Sequence, residues 1–262
     1  VFYENYGIEP IDLFPLLGIG FSLIDETHQH LHALYKTIIY MNSPFLLGLS
    51  ATFISEDRVT RRVQKMLYPD EANYEGFEYD RYANVTAVEH RVSDKHYRYI
   101  KTTERGSKFY SHNAFEKSIL THKDIKSNYL KLIDEVVTNY YDNKFLENDK
   151  LLIFVNTVNM ATYVTNYYKE KYPMFFVNRY CEDDPYSNLI ESDVVISTPL
   201  SAGTAVDIPD LRVVVQSVSI KSPISNLQNL GRLRKLPDRD VKFCYTFASN
   251  IPKQKEFHEF RK

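Results

Sequence analysis

Residues 192–210 decide the fold, and they have the sequence SDVVISTPLSAGTAVDIPD. The apolar run at 194–196 has the length of a buried strand. Thr198 follows this run, and Gly203 and Asp207 come a few residues later. Small residues directly after a strand allow backbone N–H groups to approach a ligand. The stretch therefore predicts a buried strand that ends in a ligand-binding turn.

Three more blocks carry short motifs at predicted strand ends or on a predicted helix. Residues 25–28 (DETH) follow an apolar run at 21–24, and residues 50–52 (SAT) follow another at 45–49. Residues 228–235 (QNLGRLRK) begin on a predicted helix. Ligands of open parallel sheets bind at the carboxyl ends of the strands. The polar residues after each run are therefore candidate site residues.

Apolar periodicity predicts strands that alternate with helices, which is typical of a parallel sheet. We predict strands at 21–24, 45–49, 151–155, 175–177, 194–196, 213–215 and 241–245, the last of which closes the second sheet. We predict helices at 28–40, 55–67, 124–141 and 158–168, and one from Pro223 that Ser222 can cap. The strand-like runs at 85–88 and 97–100 have the pattern of a hairpin.

The composition is that of an ordinary globular protein, with 262 residues, 44% hydrophobic, 25% charged and a net charge of −2. This charge argues against a purely electrostatic nucleic-acid binder but is compatible with a local basic groove. Cys181 and Cys244 are too few for a disulfide framework, so we expect a cytoplasmic location. No apolar run approaches about 18 residues, so we expect no membrane span.

Together the four blocks resemble, in chain order, motifs II, III, V and VI of superfamily 2 helicases, with the Asp-Glu-x-His form of motif II in the DEAD/DEAH-like group. The joint match is specific, although no single block is. The resemblance implies an α/β fold in which an incomplete first RecA-like lobe precedes a complete second RecA-like lobe with a parallel sheet. It assigns residues 1–68 to the C-terminal part of helicase domain 1, residues 69–122 to an inter-lobe connection or insertion, and residues 123–262 to helicase domain 2.

The resemblance implies ATP and Mg²⁺ as cofactors and gives roles to residues of the first lobe. Asp25 would hold Mg²⁺ on the nucleotide, and Glu26 would polarise the attacking water. His28 would couple the site to the second lobe. Ser50 and Thr52, from the motif III block, would link the nucleotide state to domain movement.

In the second lobe, the resemblance implies contacts with both nucleic acid and nucleotide. Thr198 would contact a phosphate of the nucleic-acid strand, and Gly203 and Asp207 would line the nucleotide side. The FVNT block that ends at Thr157 resembles motif IV, in which a polar side chain touches the nucleic-acid backbone. Capping of a helix by Asn156 or Thr157 explains the same block equally well.

The motif VI block matches the family pattern Gln-x-x-Gly-Arg-x-x-Arg at Gln228, Gly231 and Arg232. The last position is Lys235, and Arg234 comes one residue early. An arginine finger needs a planar and permanently charged guanidinium, whereas lysine supplies a point charge. The resemblance therefore implies a catalytic role for Gln228 and Arg232, and the second arginine role stays open between Arg234 and Lys235.

The Walker A loop that such a motor requires is not found in these residues, because none of the eight glycines is followed by lysine. Only about 20 residues precede the first predicted strand. We therefore expect a C-terminal fragment of a phage or viral helicase that lacks ATP turnover on its own. Its expected partners are nucleic acid, with DNA favoured over RNA, and the missing N-terminal part of the same protein.

Two alternatives stay open at this point. A motor subunit of a restriction or remodelling type would move along duplex nucleic acid without unwinding it. A non-catalytic nucleic-acid-binding module would keep the fold without using ATP. If the protein is viral, its expected location is the host cytoplasm.

Overall fold

A computed structural model describes residues 2–28, 31–41, 43–50, 57–74, 81–92, 100–102, 108–202 and 207–261. The chain divides into two compact units, Val1–Tyr79 and Asp80–Lys262, here called the first and second unit. The helicase-domain roles of residues 1–68, 69–122 and 123–262 stay a prediction. No described helix combines the length and the apolar character needed to cross a membrane.

The first unit contains a two-stranded parallel sheet. Its strands are β1 (Phe21–Ile24) and β2 (Phe45–Gly48), with Phe21 opposite Phe45. Its helices are α1 (Phe2–Tyr6), α2 (Pro10–Leu16), α3 (Leu31–Met41) and α4 (Arg58–Leu67), and a 3-10 turn spans Asp70–Ala72. Helix α3 lies between the two strands in sequence, as a parallel pair requires. The predicted β-α-β-α order of this unit is confirmed.

The second unit contains a six-stranded sheet in which every pair of neighbours is parallel, in the order β3-β10-β9-β6-β8-β7. The strands are β3 (Ala83–His90), β6 (Lys150–Phe154), β7 (Val177–Tyr180), β8 (Val194–Ser197), β9 (Leu211–Gln216) and β10 (Val241–Ala248). A separate antiparallel pair joins β4 (Ile100–Thr102) and β5 (Lys108–Tyr110). The predicted parallel sheet is confirmed.

Helices cover both faces of this sheet, because its central strands are apolar on both sides. They are α5 (His112–Thr121), α6 (Lys123–Tyr140), α7 (Val158–Lys171), α8 (Ser187–Glu191), α9 (Pro199–Ala202), α10 (Pro223–Leu230) and α11 (Pro252–Glu259). Along β6, Leu151 and Ile153 enter one apolar cluster with α5, α6 and α7. Leu152 and Phe154 enter the other cluster, with Leu189 of α8.

Two predictions about the sheet edge are wrong. The run at 85–88 does not form a hairpin with 97–100, because β3 pairs in parallel with β10. Ile100 pairs instead with Tyr110 of β5, and residues 97–99 lie outside the described ranges. The run at 241–245 does not close the sheet, since β10 has β3 on one side and β9 on the other. Local strand propensity does not specify the pairing partner.

Candidate functional site

The DETH turn directly follows β1, at the carboxyl end of the two-stranded sheet. Asp25 is exposed, and its Oδ1 accepts the Glu26 N–H at 2.8 Å. The Glu26 backbone is left-handed, with φ of 48°, which costs about 1–2 kcal/mol for an L-residue. Two backbone bonds hold the turn beside β2: Thr27 N–H donates to Leu49 O at 3.0 Å, and Leu49 N–H donates to Ile24 O at 2.8 Å.

The structure brings the motif II and motif III blocks together. His28 Nδ1 lies 2.7 Å from Ser50 Oγ and 3.1 Å from Glu26 Oε2. The His28 side chain is only 9% exposed, and its Nε2 has no hydrogen-bond partner within the described residues. His28 therefore links the carboxylate of one turn with the hydroxyl of the next. Thr52 lies outside the described residues.

Tyr68 also holds this turn, and sequence reasoning missed it. Its hydroxyl lies 2.9 Å from Thr27 Oγ1. Its ring lies so close to Gly48 that a Cβ added there would meet the Tyr68 hydroxyl at 2.4 Å. In the sequence, a glycine at a strand end and an aromatic residue about 20 positions later are too common a combination to reveal this contact.

The acidic residues of the turn fit a magnesium ion that a nucleotide carries. No cluster of three or more His, Cys, Asp or Glu side chains suited to a metal occurs in the described part of the chain. Mg²⁺ is usually held by one or two carboxylates together with substrate phosphates and water. Asp25 is exposed and would be able to supply one such carboxylate, since the Glu26 N–H donates to its Oδ1 and leaves Oδ2 for a cation.

The turn after β6 is held by a buried carboxylate that sequence reasoning also missed. Thr157 caps α7, because its Oγ1 accepts the Met160 N–H at 3.2 Å. Glu116 of α5 accepts the Asn156 N–H at 2.6 Å, and the Thr157 N–H and hydroxyl at 2.8 Å each. The predicted helix cap is therefore present, and the cap is itself bound to α5. Because Glu116 lies 40 residues before Asn156, spacing in the sequence does not reveal the pair.

Burial controls the ionisation of the groups around Glu116. Desolvation raises the pKa of Glu116 to about 7, although its hydrogen bonds with Asn156 and Thr157 oppose the shift. Desolvation lowers the pKa of His112 to about 3, and the Nε2 of that ring lies 3.8 Å from Glu116 Oε1. Desolvation also raises the pKa of Tyr110, whose hydroxyl lies 2.7 Å from His112 Nδ1. Only Glu116 among these three groups titrates near neutral pH.

The motif V block leaves β8 through a short helical turn. Thr198 is 6% exposed, and its Oγ1 accepts the Ser201 N–H at 3.2 Å and lies 3.0 Å from Ser201 Oγ. Thr198 therefore stabilises the first turn of α9 at the carboxyl end of β8. Gly203 lies outside the described residues. The predicted strand at 194–196 is confirmed as part of β8.

The motif VI block begins on α10 and continues past its end. Gly231 is the C-cap residue of α10, and its N–H still donates to Leu227 O at 2.7 Å. Arg232 is half-buried, and its Nε donates to Gln228 O at 3.2 Å. This backbone contact ties Arg232 to the last turn of the helix that carries Gln228.

The structure also brings residues of motifs V and VI together. Arg234 Nε lies 3.7 Å from Asp207 Oδ1, with side chains 59% and 72% exposed. Lys235 is exposed. An exposed ion pair contributes little to stability, about 0–1 kcal/mol. The pair therefore indicates proximity of the two motifs rather than a strong structural link.

A buried amide network fixes α10 against the end of β9, and sequence reasoning missed it. Asn229 Nδ2 donates to Gln216 Oε1 at 2.8 Å, and Gln216 Nε2 donates to Asn226 Oδ1 at 3.0 Å. Gln216 and Asn229 are almost completely buried. The available signal was a glutamine at the end of the apolar run 213–215. This network positions the helix that carries the motif VI block.

No protein-family model matches the chain, and no curated protein sequence matches it. Solved structures do match. Mycobacterium smegmatis helicase Lhr, bound to ssDNA and AMP-PNP, has a TM-score of 0.54 and 14% identity over 90% of this chain. S. cerevisiae Dbp5, bound to RNA and ADP BeF3, has a TM-score of 0.53 and 16% identity over 96%. The Pyrococcus furiosus Hef helicase domain has a TM-score of 0.50 and 13% identity over 97%.

The chain spans only part of these proteins, namely 31% of the Lhr chain, 61% of the Dbp5 chain and 76% of the Hef chain. At identities this low, the similarity is one of fold. The predicted fold class is confirmed, with a small parallel sheet followed by a six-stranded parallel sheet. The chain therefore has an α/β fold similar to that of these helicase structures.

Proposed function

We propose that this chain is part of an ATP-dependent nucleic-acid helicase or translocase of superfamily 2. The observation that carries the proposal is that residues of separate motif blocks meet within each unit. His28 of motif II lies beside Ser50 of motif III, and Arg234 of motif VI lies beside Asp207 of motif V. Chance resemblances at four places in the sequence have no reason to produce both contacts.

The first unit would supply the groups that act on the nucleotide. Asp25 would bind Mg²⁺, which when present neutralises charge that develops on the phosphates. Glu26 would take the proton of the attacking water at its carboxylate. His28 would hold that carboxylate, since its Nδ1 lies 3.1 Å from Glu26 Oε2. Ser50 and Thr52 would report the nucleotide state through the His28 contact.

The second unit would supply the nucleic-acid contacts and the phosphate-binding cations. Thr157 and Thr198 mark the turns that would contact the nucleic-acid backbone. Gly203 and Asp207 would line the nucleotide side, and Gln228 would act with the motif VI cations there. Since guanidinium matches phosphate geometry better than ammonium, Arg232 would be the arginine finger. Arg234 and Lys235 compete for the second phosphate contact.

The same proposal extends to a phage or viral enzyme that acts on DNA rather than RNA. The expected cytoplasmic location follows from the presence of only two cysteines. The N-terminal part of such a protein would carry the Walker A loop, because no glycine of this chain is followed by lysine. Residues 1–262 alone would therefore lack ATP turnover.

ATPase assays test the proposal directly. Residues 1–262 should bind a labelled oligonucleotide and show no turnover above background. In a longer protein that includes a Walker A loop, Arg232→Ala should lower turnover by about 10³-fold or more, the scale of an arginine finger. Glu26→Gln should abolish turnover and leave nucleotide binding intact, because it removes the base but keeps the shape. Unchanged turnover in either variant would contradict the proposal.

Two further results would select the alternatives. ATP turnover without strand separation would identify a duplex translocase. Oligonucleotide binding by a longer protein that has no Walker A loop would identify a non-catalytic binding module.

A further inference from the structure

Strand β3 forms one edge of the six-stranded sheet, since β10 is its only neighbour among the described residues. It is eight residues long, and its register with β10 is continuous from Ala83 to His90. Natural edge strands are usually short or carry lysine, proline or a bulge, which prevents pairing with another chain. β3 has none of these features, and Val85 is 55% exposed. This edge is therefore suited to accept a further strand.

The opposite edge of the same sheet is built differently. Its strand, β7, is only four residues long. Arg179 on this strand is held by a charged turn, because its Nε donates to Asp184 Oδ2 at 2.7 Å. The Cys181 N–H donates to the same carboxylate oxygen at 2.8 Å. β7 thus has the short and charged form of a protected edge, whereas β3 does not.

The backbone groups of β3 that point away from β10 belong to alternate residues. His90 O accepts the Ser249 N–H at 2.9 Å, so His90 directs its backbone groups towards β10. Successive residues of a strand direct their N–H and C=O groups to opposite edges. The outer edge of β3 is therefore formed by the backbone groups of Ala83, Val85, Ala87 and Glu89.

A second copy of β3 fits this edge. A two-fold axis pairs a strand with its own copy in the antiparallel direction, so that the same surface serves both protomers. With the axis at Val85, Ala83 of one protomer lies opposite Ala87 of the other, and the two Val85 residues lie opposite each other. All of these residues direct their backbone groups outwards, as the hydrogen-bonded pairs of an antiparallel ladder require. The exposed Val85 side chain is then covered by its own copy.

Charge complementarity selects this register. When β3 is continued back by two residues, Arg81 of one protomer lies opposite Glu89 of the other, once at each end of the ladder. Both side chains are exposed, and neither has an ion-pair partner within the described ranges. An axis at Thr86 would instead place Arg81 opposite Arg91, and like charges directly opposite each other destabilise a sheet.

We propose that the protein forms a two-fold symmetric dimer in which β3 pairs with β3 of a second copy, with Val85 at the axis and Arg81 opposite Glu89. The two six-stranded sheets then form one continuous sheet. The contact is small, so the dimer dissociates in roughly the micromolar range. This pairing needs neither nucleotide nor nucleic acid, so it goes beyond the proposed function and is tested apart from it.

The experiment is sedimentation equilibrium of residues 1–262 over a range of protein concentrations, without nucleotide or nucleic acid. Arg81→Glu and Glu89→Arg should each weaken the dimer roughly 10-fold or more, because each places like charges opposite each other at both ends of the ladder. The double variant Arg81→Glu/Glu89→Arg restores opposite charges, so its dissociation constant should return to within about threefold of wild type.

Glu191→Arg is the matched control for these charge changes. Glu191 is exposed and ends α8, which packs beside β7 at the other edge of the sheet. This variant makes the same change of charge as Glu89→Arg far from β3, and it should dimerise as wild type does.

A second pair of variants tests the backbone pairing. Val85→Pro removes an N–H that points away from β10, so it should leave the sheet folded and weaken the dimer at least roughly 10-fold. Val85→Ile keeps both the N–H and the apolar surface, and it should dimerise as wild type does. Circular dichroism melting of each variant checks that the second unit is folded.

Four results would overturn the proposal. The first is a monomer at every concentration, and the second is a dimer that none of the β3 variants weakens, because it would use another surface. The third is a loss in both single charge variants that the double variant does not reverse, since Arg81 would then not lie opposite Glu89. The fourth is slow hydrogen exchange of the Val85 and Ala87 amides that does not depend on protein concentration, because the edge would then be occupied within one chain.

Discussion

The parallel sheets of the two units are both built from apolar runs, yet they differ completely in burial. Residues 151–154 of β6 are fully buried. In the first unit, Phe21, Leu23 and Phe45 are 57%, 55% and 68% exposed. A strand with two neighbours and helices on both faces loses its apolar surface to the core, whereas a two-stranded sheet cannot bury both faces. The turns of the second unit therefore follow strands of a buried sheet, whereas the DETH turn depends on two backbone hydrogen bonds and a few side-chain contacts.

Truncation of one phenylalanine in each parallel sheet should show this difference most strongly. Phe154→Ala removes a completely buried ring and should lower the free energy of unfolding of the second unit by about 3–5 kcal/mol. Phe45→Ala in β2 is the matched variant, and it should cost less than about 1 kcal/mol because most of that ring is already exposed. Urea unfolding followed by circular dichroism measures both. Similar losses for the two variants would mean that the exposed face of the small sheet is covered in solution.

The free energy of unfolding measured over a series of pH values should show that the burial of Glu116 in the second unit destabilises the fold at higher pH. The pKa of Glu116 is raised to about 7 from 4.5, so the folded state binds its proton more tightly than the unfolded state. The resulting stabilisation is complete below the unfolded pKa and is lost as pH rises towards about 7. Between pH 5 and pH 8, wild type should lose on the order of 3 kcal/mol relative to Glu116→Gln.

Wild type must be compared with Glu116→Gln because two buried histidines stabilise the fold as pH rises, which opposes the effect of Glu116. Burial lowers the pKa of His112 to about 3 and that of His90 to about 4. Their neutral forms stabilise the fold at higher pH, and that contribution is lost as pH falls below the unfolded value. Both histidines are present in wild type and variant, so the difference isolates Glu116. A difference that does not vary with pH would show that Glu116 is already ionised in the folded state at pH 5.

The contact between Tyr68 and Gly48 offers a test in the first unit. Gly48→Ala should displace the Tyr68 ring, break its contact with Thr27 and cost about 1–3 kcal/mol. Gly20→Ala is the control, since a Cβ there has no atom within 4 Å, and it should change stability by less than about 0.5 kcal/mol. Equal melting temperatures for the two variants would mean that Tyr68 does not hold the DETH turn.

The strands that are buried on both faces are also the part of the fold that could be predicted best from the sequence. Continuous apolar runs such as 151–155 and 213–215 indicate strands buried on both faces, and the structure has strands there. Helix α6 keeps the predicted 3.6-residue period almost from end to end. The partner of β3 could not be predicted, because a run such as 85–88 has the same pattern beside any strand.

The buried polar contacts of the site could not be predicted for a different reason. Glu116 and Gln216 meet their hydrogen-bond partners only after distant elements have packed, so no local pattern in the sequence marks these contacts. Motif resemblance located the turns, since it compares local patterns at strand ends. It did not identify the side chains that hold those turns, because they lie outside the motif blocks.

The exposed ion pair between Arg234 and Asp207 should contribute little to stability. Their side chains are 59% and 72% exposed, so Arg234→Ala should change the free energy of unfolding by less than about 1 kcal/mol. Lys235→Ala, its exposed neighbour, should change stability equally little. Any difference in ATP turnover between these variants of a Walker A-containing protein would therefore report phosphate contact rather than unfolding. The variant with the larger loss identifies the second phosphate-binding cation. Equal and unchanged turnover in both variants would leave Arg232 as the sole arginine finger of motif VI.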